Sequence, residues 1–230
     1  MSSRYTNLAT LVLAALVALT VTGALLSIYL SLSGYSRILL QTGSTGFLAI
    51  AIIRGGLRSP YGRLITAGLF FCWLGDFLGP ISFDVGVAAF LVAHLGFVMA
   101  FRRLGLVRSR ILPSLAATTV LSTLILAWLL PYVISSNRGL IIGYTAAITV
   151  MLGVSFATPS GPPRRWILYA APVFYVSDLI VARWAFVGGG STNAYFCYPL
   201  YYAACVLFAL SVQPVVAPSS EPTRIPDEVT

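Results

Sequence analysis

Long apolar runs constrain this chain more than any other feature, because a helix needs about 20 apolar residues to cross a hydrocarbon core about 30 Å thick. Eight such runs lie between clusters of arginine, proline and glycine. They cover residues 8–30, 38–53, 61–79, 83–101, 111–131, 139–157, 165–187 and 194–212. The chain is 58% hydrophobic and only 9% charged, far outside the range of soluble domains. We therefore predict an all-α membrane helix bundle with about eight transmembrane helices.

The two ends of the chain lead to different predictions. Arg4 precedes the first apolar run, as in a secretory signal, but the run is longer than the apolar core of a signal peptide and seven more follow it. We expect it to be a retained helix. Residues 214–230 are polar and include a Ser-Ser-Glu-Pro cluster. The sequence thus predicts a transmembrane helical domain over 1–213 and a disordered tail over 214–230.

The basic residues indicate an orientation in the membrane. The chain has no lysine, and its fourteen basic residues are all arginines. In an eight-span topology Arg37 and Arg138 fall on one side, Arg183 lies near the same end of helix 7, and the remaining eleven fall on the other side. The eleven are Arg4, Arg54, Arg58, Arg63, Arg102, Arg103, Arg108, Arg110, Arg164, Arg165 and Arg224. The positive-inside rule therefore predicts that both termini are cytoplasmic.

This distribution also explains the net charge of +8, since cytoplasmic arginines are attracted to anionic lipid headgroups. We expect membrane lipids as partners and no nucleic acid. Cysteines 72, 197 and 205 lie in or beside predicted spans without Cys-x-x-Cys spacing, so neither a disulfide framework nor a zinc site is indicated. His94 is the single histidine. We predict no metal and no cofactor.

The aspartates are the most informative residues, because three of the six acidic residues lie in the tail and leave Asp76, Asp84 and Asp178 for the membrane domain. Asp84 opens the predicted fourth helix, where a carboxylate meets free N–H groups and the positive end of the helix dipole. Asp76 and Asp178 lie inside their spans, where an ionisable group costs several kcal/mol unless it faces a cavity or a partner. We interpret these two as functional.

The predicted topology brings several polar residues to similar depths. Asp76 and Asp178 come out about 22 Å and 20 Å from the cytoplasmic ends of their helices, and His94 about 15 Å below the outer surface. The stretches "WLGDFL" and "YVSDLI" around the aspartates follow one pattern of aromatic, aliphatic, small, Asp and two apolar residues. This echo suggests that helices 3 and 7 are repeat equivalents, with the pair 3–4 set against the pair 7–8.

Four segments carry a resemblance to a known family: "GLFFCWLGDFLGP", "FDVGVAAFLVAHLGFVMAF", "FYVSDLIVA" and "YPLYYAACVL". In order and spacing they resemble the TMEM86/YhhN family, whose characterised members are lysoplasmalogenases. The matching positions lie in helices 3, 4, 7 and 8. They are Gly75, Asp76, Gly86, Phe90, His94, Ser177, Asp178, Tyr201 and Tyr202.

The resemblance implies hydrolysis of the vinyl-ether bond of a lysoplasmalogen, which yields a fatty aldehyde and a glycerophospho-alcohol. Protonation of carbon forms an oxocarbenium ion that water captures, so two carboxyl groups can divide the work as they do in glycosidases. We expect Asp76 and Asp178 to be this catalytic pair, with either one as the acid. His94 would be a third catalytic residue. The substrate-binding residues would be Tyr175, Ser177, Tyr198, Tyr201, Tyr202 and Arg183.

Other interpretations stay open at this stage. His94 also fits a core histidine bonded to a neighbouring helix, the helix 8 tyrosines fit an interfacial aromatic belt, and Arg183 fits a side chain that snorkels outward. A transporter would also place level carboxylates in a bundle, and would depend on an ion gradient. A non-catalytic lysolipid-binding protein would bind equally well after both aspartates were neutralised. The arginine-only basic set favours a bacterial inner membrane, and the family resemblance implies a lysophospholipid substrate. The sequence gives no prediction of the oligomeric state.

Overall fold

The computed structural model describes residues 3–32 and 34–213, and within them it contains eight long α-helices and no strand. The all-helical prediction is therefore confirmed, while the predicted tail over 214–230 lies outside the described residues. The helices are α1 Ser3–Tyr29, α2 Tyr35–Ile53, α3 Pro60–Leu78, α4 Phe83–Arg103, α5 Arg108–Leu129, α6 Arg138–Phe156, α7 Pro162–Ala182 and α8 Ala194–Ser211.

Seven of the eight helices are long and apolar enough to cross a membrane. This protein is therefore a multi-pass integral membrane protein. The exception is α3, which contains both Arg63 and Asp76 and so has a less apolar sequence. It packs against α4, α2 and α8, and thus belongs to the bundle.

Helix ends follow local sequence signals. At the start of α3 the Ser59 hydroxyl accepts a hydrogen bond from the Gly62 N–H at 2.9 Å, and Pro60 occupies the first turn, where its missing N–H costs nothing. The predicted helix over 165–187 is α-helical only as far as Ala182. It passes at Arg183–Val187 into a single π-helical turn, followed by Gly188 and Gly189, whose positive φ angles end the helix.

Neighbouring helices pair along the chain, α1 with α2, α3 with α4, α5 with α6 and α7 with α8. Further contacts join α8 to α2 and α3, and α4 to α6. The pairs α3–α4 and α7–α8 thus exist as units, as the predicted repeat requires, but the repeat itself stays a prediction.

An aromatic core fixes the relative positions of α4, α7 and α8. Phe97, Phe174 and Phe208 are fully buried, one from each of these helices. The rings of Phe97 and Phe208 stack with centroids 4.3 Å apart, and Phe174 meets the His94 ring edge-on at 5.0 Å. This packing holds the histidine in one orientation at the edge of the site described next.

Candidate active site

A cavity of about 450 Å³ lies between the helices and contains both buried-span aspartates in its wall. Its lining includes the start of α2 at Arg37, the residue after α3 at Pro80, the start of α4 at Phe83 and the segment after α7 at Trp184. These points lie at one end of the bundle. Because Arg37, Pro80 and Phe83 are exposed, the cavity reaches the protein surface there.

Asp76 is held by hydroxyl groups from two helices. The Tyr201 hydroxyl of α8 donates to Asp76 Oδ2 at 2.9 Å, and the Ser44 hydroxyl of α2 is hydrogen-bonded to the same oxygen. Ser44 Oγ also lies 3.1 Å from the Leu40 carbonyl oxygen and 3.0 Å from the Tyr202 hydroxyl. The Tyr202 hydroxyl donates to that carbonyl at 2.7 Å. Asp76 therefore belongs to a connected network of hydroxyl groups.

Asp178 is held by a different set of donors. The Tyr144 hydroxyl of α6 donates to Asp178 Oδ2 at 2.6 Å, and His94 Nε2 of α4 lies 3.1 Å from the same oxygen. The Tyr144 hydroxyl and His94 Nε2 are 3.0 Å apart, which closes a triangle. The Asp178 side chain is 14% exposed, whereas His94 is completely buried.

The hydrogen-bond partners of His94 decide its tautomer. Its Nδ1 has no hydrogen-bond partner among the described residues. A proton on Nδ1 would be a buried N–H without an acceptor, which costs about 1–3 kcal/mol. The proton of the neutral ring is therefore assigned to Nε2, which donates to Asp178.

Most of the predicted site residues meet at this cavity. Asp76, Asp178, Tyr175, Ser177, Tyr198, Tyr201 and Tyr202 all line it. His94 does not line the cavity, but its Nε2 contacts the Oδ2 atom of Asp178, which does. Arg183 also does not line it: its guanidinium donates to the Asn193 side-chain oxygen at 2.6 Å, in the segment between α7 and α8.

The lining residues Tyr175 and Ser177 of α7 have partners that explain their orientation. The Tyr175 and Ser122 hydroxyls lie 2.8 Å apart and link α7 to α5. The Ser177 hydroxyl donates to the Phe174 carbonyl one turn earlier at 2.7 Å, so its hydrogen is used within α7. Tyr175 is thus tied to the cavity wall.

Sequence reasoning missed Ser44, Tyr144 and Arg37. Ser44 and Tyr144 supply the partners of the two aspartates, and Arg37 lines the cavity. A serine in a membrane helix carries no distinctive signal, since small polar residues serve packing as well. The sequence signal for Tyr144 is weak: it is the single tyrosine in the largely apolar sequence of α6.

The remaining acidic and thiol groups lie elsewhere. Asp84 is in the first turn of α4, as predicted, and its carboxylate accepts from the Asn137 side-chain amide at 3.0 Å. Cysteines 72, 197 and 205 are free and buried. No cluster of metal-ligating side chains occurs within 3–32 and 34–213.

Fold and site together define a class: a polytopic helical membrane protein whose bundle contains one cavity with two carboxyl groups in its wall, each hydrogen-bonded to side chains of other helices. More specifically, the chain belongs to the YhhN family, whose family model matches residues 36–212. The match extends from the start of α2 to the end of α8 and includes every residue of the cavity wall named above. Searches of the curated proteins and of the solved structures find no match.

Proposed function

We propose that this protein hydrolyses the vinyl-ether bond of lysoplasmalogens, releasing a fatty aldehyde and a glycerophospho-alcohol. One observation carries the proposal: Asp76 and Asp178 lie in the wall of the same cavity, and each is fixed by two hydrogen bonds. Carboxyl groups inside a membrane bundle are expensive and usually functional. Membership of the YhhN family is compatible with this chemistry.

The cavity suits a single-chain lipid. Besides the two carboxyl groups and the tyrosines, it is lined by aliphatic side chains of α5, α6 and α7, among them Ile125, Leu129, Ile148 and Leu179. Binding sites for small amphiphiles combine an apolar wall with a few convergent polar groups. A lysolipid has one hydrocarbon chain, which the aliphatic wall can bury, and a polar glycerol, which the carboxyl and hydroxyl groups can orient.

The hydrogen-bond donors around Asp178 support a role as the base. Both of its partners, the Tyr144 hydroxyl and His94 Nε2–H, donate to Oδ2, and two donors favour the ionised carboxylate. A protonated Asp178 could donate to Tyr144 only if Tyr144 donated to His94 Nε2. That would move the histidine proton to the unpartnered Nδ1. Asp178 is thus suited to take a proton from water.

Asp76 is correspondingly suited to be the acid. Its partner Ser44 can turn its own hydrogen toward the Leu40 carbonyl, 3.1 Å away, and then accept a hydrogen bond from a protonated Asp76. The Tyr201 hydroxyl still donates to Oδ2 in that state. The network around Asp76 therefore offers an acceptor to a proton on Oδ2, which the triangle of donors around Asp178 does not.

The steps balance in protons. Asp76 gives its proton to the vinyl carbon next to the alkyl chain, and the carbon bonded to oxygen becomes an oxocarbenium centre. Water adds to that centre while Asp178 takes a water proton, which gives a hemiacetal. Asp178 then protonates the ether oxygen as the C–O bond breaks, and Asp76 takes the hemiacetal O–H proton. Aldehyde and alcohol leave, and both carboxyl groups return to their starting states.

The test is aldehyde release from 1-alkenyl-lysophosphatidylethanolamine by the purified protein in detergent. Asp76→Asn and Asp178→Asn should each abolish release, because asparagine can neither give nor take the proton. Asp84→Asn is the matched control, since Asp84 lies outside the cavity lining and should leave the rate unchanged. Full activity in either cavity variant would refute the assignment. Ion-gradient-driven uptake of lysolipid without aldehyde release would point to a transporter instead.

A further inference from the structure

Arg37 is the only cation that lines the cavity within the described part of the chain. It is exposed at the start of α2 and forms no hydrogen bond or ion pair with any other residue that the structure describes. The other arginines near this end are engaged: Arg183 with Asn193, and Arg138 with the Val133 carbonyl at 3.1 Å. The cavity thus has one available positive charge at its rim.

Arg37 lies on the same face of α2 as the contacts to Asp76. Gln41, one turn further along α2, also lines the cavity, and Ser44 comes about two turns after Arg37. Ser44 lies seven positions after Arg37, which corresponds to a rise of about 10 Å along the helix axis. A glycerol unit and an ester oxygen fit between a phosphate at Arg37 and an ether oxygen at Asp76 once the flexible arginine side chain bends inward.

The α5–α6 wall of the cavity is aliphatic apart from Tyr144 and Thr145. There α5 and α6 contribute Ile125, Leu129 and Ile148, and neither helix packs extensively against α2. An amphiphile that spans the cavity therefore meets a cation at the α2 wall and aliphatic side chains at the α5–α6 wall, with the carboxyl groups between them.

We infer that Arg37 and Gln41 form an anion subsite for the phosphodiester of a single-chain glycerophospholipid, whose chain lies along the α5–α6 wall. The guanidinium supplies charge and paired N–H donors that match phosphate oxygens, and Gln41 adds an amide donor. The inference rests on the proposed function for its substrate class. It adds that the headgroup phosphate, and not only the chain, determines binding.

Equilibrium binding of non-cleavable ligands tests this inference separately from catalysis. The probes are 1-O-alkyl-lysophosphatidylethanolamine, 1-O-alkylglycerol with the same chain, and glycerophosphoethanolamine without a chain. Arg37→Gln should weaken binding of the phospholipid about tenfold to a hundredfold and leave alkylglycerol binding unchanged. Arg37→Lys should retain part of the affinity, since it keeps the charge. Arg138→Gln is the control for charge at the same end of the bundle.

The outcomes separate the two proposals. Equal losses for both lipids, or no loss for either, would overturn the subsite. Binding of glycerophosphoethanolamine as tight as that of the phospholipid would show a free-phosphate site and overturn the lipid assignment. Tight, Arg37-dependent phospholipid binding by a protein that releases no aldehyde would support the subsite and reject the hydrolase.

Discussion

Among single residues, the hydrogen bond between His94 Nε2 and Asp178 is the basis for proposing different roles for two otherwise similar aspartates. The sequence predicts a catalytic role for both aspartates and for the histidine, and it leaves open which aspartate is the acid. The distinction comes from His94 Nδ1, which has no hydrogen-bond partner among the residues 3–32 and 34–213, and from the partners Ser44 and Tyr144. Such pairings depend on how helices distant in sequence face each other, so one sequence does not reveal them.

The triangle around Asp178 leads to a prediction for Tyr144. Tyr144→Phe removes one donor to the carboxylate and should lower kcat about tenfold to a hundredfold, the range of one charge-assisted hydrogen bond. The KM for lysolipid should change little. Tyr195→Phe is the control, because Tyr195 is exposed and lies outside the cavity lining.

His94 acts through the same oxygen, so its substitution should not add independently. The double variant Tyr144→Phe with His94→Gln should lose less activity than the product of the two single losses. Steady-state kinetics of all four proteins measures this coupling. Independent effects would show that His94 does not act by positioning Asp178.

Gly75, next to Asp76, is required by a close approach between helices. A Cβ atom at this position would lie 2.7 Å from the ring of Phe90, which lines the cavity. Gly75→Ala should therefore lower the free energy of unfolding by about 1–3 kcal/mol. Gly139→Ala, with no neighbouring atom within 4 Å, should cost nothing. Thermal unfolding in detergent compares them, and equal midpoints would contradict the close contact.

At the scale of helices, the apolar runs predicted eight elements and most of their ends. The differences are local: α1 begins at Ser3 and α2 at Tyr35, before the predicted starts at 8 and 38, and α7 passes into a π-helical turn at Arg183. Hydropathy cannot mark such ends, because they depend on turn geometry rather than on apolar content. The same limit applies to Arg183, whose guanidinium donates to Asn193 in a turn that hydropathy does not mark, while its predicted substrate contact stays a prediction.

Arg54 joins the ends of two helices and is expected to stabilise both. It is nearly buried after α2, and its Nε donates to the Val212 carbonyl at 2.9 Å while one terminal nitrogen donates to the Leu210 carbonyl at 3.3 Å. These carbonyls end α8 and lack helical partners. Arg54→Met should therefore cost about 1.5–3 kcal/mol, measured by thermal unfolding. Arg58→Met, at an exposed position nearby, should have no such effect.

At the scale of the whole molecule, orientation follows from the arginine count and remains a prediction, as does a bacterial inner membrane. If both termini are cytoplasmic, the cavity end of the bundle faces outward and substrate enters from the outer half of the bilayer. Cysteines introduced at Asp84 and at Ser109 should be labelled from the outer and the cytoplasmic side, respectively. The native cysteines are buried and give little background. Reversed accessibility would reverse the orientation.

The sequence predicted the composition of the site better than its arrangement. Scarcity made the aspartates and His94 visible in a chain with only 9% charged residues. For Arg37, in contrast, the sequence indicates only a contribution to membrane orientation. Its position at the rim of the cavity depends on how α2 packs relative to α5 and α6. The sequence can thus identify polar residues of membrane helices as candidate site residues. Proposing one as the acid, another as the base and a third as part of an anion subsite requires knowledge of how the helices pack.

We propose that a carboxyl pair protonates the vinyl carbon and activates water. Hydrolysis of 1-alkenyl-lysophosphatidylethanolamine in D₂O, with immediate reduction of the aldehyde, tests this mechanism. We expect one deuterium on the carbon next to the former carbonyl, and no such product from Asp76→Asn or Asp178→Asn. Absence of aldehyde from the folded native protein, or undiminished deuterated product from either variant, would contradict it.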